Sequence, residues 1–231
     1  KKEVKIENSR KKGNINILKV DKDDNKTTIE GVEFDLLDST GKNIIKHVKT
    51  DKNGKAEIKN LDIGKYILRE TKTRKEYKIA LEQNITIEWG KTLNLTIENE
   101  KMKGKVKITK ISEDDNLITG EVAGTPIANV KFEIYDDSGK LVDTLITKAD
   151  GIAISKDLVV GKYIVKEKET GEYYEINEKD FEVEITKNGE VVDLTISNKS
   201  KTPPPEKPKE ETPKIEVPPI EPIKKLPVTG Y

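Results

Sequence analysis

The stretch Leu93–Lys110, LNLTIENEKMKGKVKITK, closes one structural unit and opens the next. A β-strand turns successive side chains to opposite faces. Read at that period, Leu93, Leu95, Ile97 and Asn99 share one face while Asn94, Thr96 and Glu98 share the other, which puts the amide of Asn99 in a core position. After Lys103-Gly104 the alternation restarts, with Val106, Ile108 and Lys110 facing inward and Lys105, Lys107 and Thr109 facing water. A lysine now occupies the core phase. Burying an amide or an ammonium without a partner costs several kcal/mol, so two such placements in one junction call for a chemical reason.

The pattern recurs on both sides. Ile15, Ile17 and Lys19 repeat the lysine strand upstream, and Val192, Leu194, Ile196 and Asn198 repeat the asparagine strand downstream. Lys19 and Lys110 lie about ninety residues apart, and self-similarity at that period divides the chain into tandem units. We expect one domain over residues 13–102 and a second over 103–200. Residues 1–12, with Val4, Ile6 and Asn8 followed by Lys12-Gly13, read as the last strand or linker of an upstream repeat, and the chain as a fragment of a longer array.

Between these strands the chain alternates short apolar–polar segments with turn residues: Ser39-Thr40-Gly41, Asp51-Lys52-Asn53-Gly54, Asp62-Ile63-Gly64 and Trp89-Gly90-Lys91. The spacing predicts strands near 14–20, 31–37, 44–50, 55–59, 65–71, 77–88 (broken) and 92–99, and no helix. The second unit repeats the turns at Ser138-Gly139, Asp150-Gly151, Val160-Gly161 and Asn188-Gly189, with a longer first connection from Glu113 to Ala128. The expected class is all-β: two tandem antiparallel sandwiches of about seven strands each. Nine of the ten prolines lie at or beyond Pro203, so residues 201–225 are expected to form an extended spacer reaching on the order of 80 Å.

Composition narrows the function. Charged residues make up 37% and aromatics 5%, which leaves each unit a thin core in need of reinforcement. Cysteine is absent, so neither disulfides nor thiol chemistry can supply it. Basic and acidic residues balance at 43 each, which points away from nucleic acid or an anionic membrane as partner. His47, the single histidine, sits in a plain strand, Ile44-Ile45-Lys46-His47-Val48. No clustered metal ligands, phosphate loop or nucleophile elbow appears, so neither a metal nor another cofactor is expected, and an enzyme is the least favoured class.

The third inward polar residue follows each Gly-Lys-Tyr turn: Tyr66, Leu68 and Glu70 share a face in the first unit, Tyr163, Val165 and Glu167 in the second. Lys19 to Glu70 spans 51 positions and Lys110 to Glu167 spans 57, the difference falling in the longer first connection. Glu70 to Asn99 spans 29, and Glu167 to Asn198 spans 31. Burial disfavours charge, turning the lysine toward a free amine and the glutamate toward a neutral acid. The amine is then a nucleophile, and the acid can polarise the Asn carbonyl and relay protons as ammonia leaves. The product is an intramolecular isopeptide bond from Lys Nζ to Asn Cγ, made without cofactor because the groups are held together in a dry site. An alternative reading of the same residues is a buried Lys–Glu ion pair beside a spectator Asn.

The segments ILKVD (17–21), YILRET (66–71) and IEN (97–99), echoed by ITKIS, YIVKEK and ISN, resemble the Cna B-type or SpaA-type repeats of Gram-positive pilins and surface adhesins over residues 13–199. That resemblance implies Ig-like or prealbumin-like sandwiches and crosslinks Lys19–Asn99 and Lys110–Asn198, assisted by the catalytic acids Glu70 and Glu167. The family's Glu-Thr-x-Ala-Pro-x-Gly-Tyr segment is altered here to Glu70-Thr71-Lys72-Thr73-Arg74-Lys75-Glu76-Tyr77, and Glu167 is followed by Lys168, though Tyr77 and Tyr174 are kept. Within residues 226–231, Leu226-Pro227-Val228-Thr229-Gly230 resembles the LPxTG signal that sortases cleave between Thr and Gly. It implies transfer of Thr229, with loss of Gly230, to peptidoglycan or to a pilin subunit, and an extracellular, wall-anchored location.

These readings converge on a structural stalk of a wall-anchored surface protein or minor pilin, with sortase as partner. Outside the tail the lone proline is Pro126, so no Tyr-Pro-Lys motif marks a polymerising shaft subunit. The competing reading is an adhesin module that contacts host matrix protein through the Glu113–Ala128 loop.

Overall fold

A computed structural model describes residues 10–203, and all regular structure there is β. The expected upstream strand (Val4, Ile6, Asn8), residues 204–225 of the proline-rich segment and Leu226–Gly230 lie outside the described residues.

The first unit contains β1 (Lys12–Asp21), β2 (Glu33–Asp38), β3 (Ile44–Lys49), β4 (Lys55–Asp62), β5 (Gly64–Lys72), β6 (Gln83–Ile87) and β7 (Thr92–Asn99). They form two sheets, ordered β4-β1-β7 and β3-β2-β5-β6. Inward residues of both sheets meet in one core that joins Ile15 and Ile17 of β1 to Phe34, Leu36, Ala56, Ile58, Leu68, Ile85, Ile87 and Ile97. The second unit repeats this with β8 (Lys103–Ser112), β9 (Lys131–Asp136), β10 (Leu141–Ile146), β11 (Ile152–Ile154), β12 (Leu158–Val159), β13 (Gly161–Glu169), β14 (Asp180–Ile185) and β15 (Val191–Asn198). Along β8 every second residue from Gly104 to Ser112 is buried, as the alternation of Val106, Ile108 and Lys110 dictates.

The sandwiches are antiparallel with one exception each. β1 runs parallel to β7 and β8 runs parallel to β15, each pair in unbroken register. Hydrophobic alternation reports which face a residue occupies and says nothing of strand direction, so this feature is silent in the sequence.

Two further departures have local causes. The predicted segment 77–88 is a strand only over Gln83–Ile87, because its start leaves the sheet. Lys78 N–H bonds Glu100 O (2.9 Å) and Met102 N–H bonds Glu76 O (2.8 Å), so this piece fastens the residues that follow β7. The counterpart of β4 is split into β11 and β12. Between them Ser155 Oγ accepts the Val106 N–H at 2.9 Å and donates to Lys156 O at 2.8 Å, replacing a ladder partner with a side chain.

Gly54 lies in the left-handed region (φ 68°) and forms the turn that seats the lysine strand. Its carbonyl accepts the Lys19 N–H at 2.8 Å. A side chain there would meet Lys19 O at 2.6 Å and Thr28 Cβ at 2.8 Å, so only glycine fits. Gly151 holds Lys110 in the same way.

Candidate functional site

Lys19 faces the core from β1, and the parallel register pairs it with Ile97 while Asp21 pairs with Asn99. Asn99 is therefore the diagonal neighbour of Lys19 on the same face, a backbone separation of about 7–8 Å that a lysine stem can bridge. Glu70 approaches from the facing sheet, on β5, where it lies opposite Phe34 of β2. All three are inside: Lys19 is 0% exposed, Asn99 1% and Glu70 4%.

The contacts form a closed ring. Lys19 Nζ donates to Asn99 Oδ1 at 2.5 Å and lies 3.1 Å from Glu70 Oε2. Asn99 Nδ2 donates to Glu70 Oε1 at 2.6 Å. Glu70 Oε2 is buried, and among the described residues the cation that faces it is Lys19. In the second unit Lys110 Nζ donates to Asn198 Oδ1 and, at 2.9 Å, to Glu167 Oε2, while Asn198 Nδ2 donates to Glu167 Oε1 at 2.5 Å. Phe132 walls that site, its ring 5.9 Å from Lys110 Nζ.

Burial pushes the Lys19 amine below its ordinary pKa, and the neighbouring Glu70 carboxylate opposes part of that shift. Lys110 is lowered by the same cause, opposed by Glu167. A lysine so placed gives up its proton more readily than one in water, and its unprotonated nitrogen is already against the amide it would attack. The glutamate lies on the amide nitrogen rather than, as the sequence suggests, on the carbonyl. The arrangement suits a carboxylate that takes a proton from Nζ and then, as the acid, delivers it to a departing Nδ2.

All six residues singled out from the sequence, Lys19, Glu70, Asn99, Lys110, Glu167 and Asn198, are thus brought together in two triads. Thr229 and Gly230 lie outside the described residues. Sequence reasoning missed Thr73 and Thr170. Thr73 Oγ1 accepts from Asn99 Nδ2, and Thr170 Oγ1 from Asn198 Nδ2, both at 2.8 Å. A signal existed: each threonine stands three residues after its glutamate. A second missed cluster belongs to the first unit. Buried Asp21 accepts from Tyr77 Oη at 2.8 Å and pairs with Lys101 Nζ at 2.6 Å. Burial would raise this carboxyl, but Lys101, the Tyr77 hydroxyl and the Asp23 N–H outweigh it and hold its pKa at about 2. Ser112 takes that place in the second unit, so repetition gave no hint of it.

The sequence profile of the SpaA prealbumin-like fold domain matches residues 13–101 and again 104–200. The chain is similar to the trypsin-resistant surface T6 protein of Streptococcus pyogenes serotype M6, 33% identical over 81 residues, which is 35% of this chain and 15% of that protein. It is also similar to a collagen adhesin of Staphylococcus aureus, 34% identical over 111 residues, which is 42% of this chain and 9% of that protein. Among solved structures, the Bacillus anthracis TIE protein superposes with a TM-score of 0.70 at 29% identity, over 82% of this chain and 34% of that one. The chain therefore spans a small part of each of these relatives.

Proposed function

The chain belongs to the SpaA prealbumin-like fold family, and from that premise we propose that it is a non-enzymatic, self-crosslinking stalk of a Gram-positive surface protein or minor pilin. The observation that carries this reading is the buried ring of amine, amide and acid, met in both units with the same donors and acceptors. The two domains are the units at 13–102 and 103–200. In each, the lysine amine attacks the Asn Cγ, the glutamate relays a proton to Nδ2, and ammonia departs, leaving a Lys19–Asn99 or Lys110–Asn198 isopeptide bond. The proline-rich segment spans the wall, and sortase joins Thr229 to peptidoglycan or a pilin subunit. Relatives that are a surface protein and an adhesin support the extracellular setting.

Intact mass tests the chemistry: the folded protein should be lighter than its sequence by one ammonia per unit. An unmodified mass in a folded sample leaves the buried ion pair as the correct reading. Incubation with a sortase and a glycine nucleophile tests the attachment, which should move to the chain ending at Thr229.

A second reading has its own observation. The Glu113–Ala128 loop presents Leu117 at 78% and Val122 at 64% exposure, while Asn116 within it is buried and its side chain donates to Tyr173 O. A fixed loop with apolar tips suits contact with a host matrix protein such as collagen. Binding lost on shortening this loop would establish an adhesin role.

A further inference from the structure

We propose that Thr73 and Thr170 are positioning residues for isopeptide formation, each holding one hydrogen of the Asn amide so that its carbonyl faces the lysine. This assignment rests on the crosslinking reading above and adds to it a residue that acts through the asparagine.

In the segment from the glutamate to the core tyrosine, the two units read Glu70-Thr-Lys-Thr-Arg-Lys-Glu-Tyr77 and Glu167-Lys-Glu-Thr-Gly-Glu-Tyr-Tyr174. Between those ends one residue is shared, the threonine at the third place. Both threonines are half-buried, and both accept from Asn Nδ2 at 2.8 Å. The amide has two N–H groups. One goes to the glutamate Oε1 and the other to the threonine Oγ1, so the nitrogen is fully committed. With Nδ2 tied at two points, Oδ1 can point only toward Nζ. For the ammonium–carboxylate pair, turning the amide over would set Nδ2 against the lysine nitrogen and Oδ1 against a carboxylate oxygen, donor on donor and acceptor on acceptor.

The threonine contact exists only before reaction. As the Nζ–Cγ bond forms and the Cγ–Nδ2 bond breaks, one proton passes from Nζ through the glutamate to Nδ2, which leaves as ammonia. The new amide keeps a single N–H. A residue that holds the leaving nitrogen should therefore set how fast the bond forms and matter little to the finished domain. A merely structural threonine would do the reverse.

The test is cell-free synthesis of the full chain, sampled over time, with peptide mapping to assign ammonia loss to each unit. Thr73→Val should slow crosslinking in the first unit about tenfold to a hundredfold, the scale expected for loss of reactive alignment. It should leave the second unit at the wild-type rate, and Thr73→Ser should restore the first. Thr170→Val should show the mirror pattern. Once bonded, the Val variants should melt within a few degrees of wild type. A folded Thr73→Val chain that crosslinks at the wild-type rate overturns the assignment. Should that variant leave the first unit unfolded, Thr73→Ser carries the test, because it keeps the oxygen and a slowed bond there overturns the proposal. If the wild-type chain loses no ammonia at all, the crosslinking reading itself has failed, a result distinct from either.

Discussion

Replacing Lys19 with Met removes the attacking amine while keeping the length of its stem at a position that is 0% exposed. If Lys19 and Asn99 are joined, the bond closes a loop of 80 residues in the unfolded chain. By the chain-entropy relation used for disulfides, such a closure stabilises the fold by roughly 4.5 kcal/mol. A domain of this size has a total stability of about 5–15 kcal/mol, so the crosslink is a large share of it. Each kcal/mol moves the midpoint of such a domain by about 4–8 °C, so Lys19→Met should lower it by on the order of 20–35 °C. The variant also removes the partner of buried Glu70. Asn99→Ala is the companion change, since it breaks the same link while leaving the Lys19–Glu70 pair at 3.1 Å. Scanning calorimetry with intact mass on each chain is the assay, and the second unit serves as an internal reference. Melting of both variants within a few degrees of the wild type would refute a stabilising crosslink between Lys19 and Asn99.

Glu70→Gln should keep the first unit folded but unbonded, so the chain regains one ammonia in mass, and Glu167→Gln should do the same for the second unit alone; proteolytic mapping distinguishes them. Asp21 has a folded-state pKa of about 2, below the ordinary carboxylate value, so its contribution is fully present above about pH 4 and is lost as pH falls toward 2. Urea melts across that window should show the first unit weakening, with a shallower slope in Asp21→Asn. Gly54→Ala forces a left-handed alanine whose Cβ stands 2.6 Å from Lys19 O, and should cost on the order of 1–3 kcal/mol and slow crosslinking by displacing the lysine strand. Denaturant midpoints on the unbonded Glu70→Gln background would measure it, and an unchanged midpoint would remove that turn from the account.

What was legible follows from the physics of alternation. A polar residue in the core phase of a strand stands out, and Lys19, Glu70 and Asn99 each broke an otherwise apolar face; their repetition as Lys110, Glu167 and Asn198 made the pattern legible. Strand positions near the turns were legible because Gly54, Gly64 and Gly90 mark them. Thr73 and Thr170 were not, because a threonine beyond a strand end has no face to violate, and only comparison of the two units exposes it. The parallel sense of β1 and β7 was also hidden, since side-chain alternation is the same in either direction. Tyr77 looked like the start of a strand, yet its segment binds the residues after β7 instead of a sheet neighbour, a choice made by tertiary contacts.

That parallel pairing sets how far the molecule can lengthen. The chain enters at the start of β1 and leaves at the far end of β7. Opened completely, the 80-residue separation between Lys19 and Asn99 would add on the order of 270 Å of slack to a tether. If the Lys19–Asn99 bond forms, it rivets the two parallel strands near their ends, and the same module can release only the few residues ahead of Lys19. A load passed through a module so bonded would meet a cord of nearly constant length, however often it is tugged.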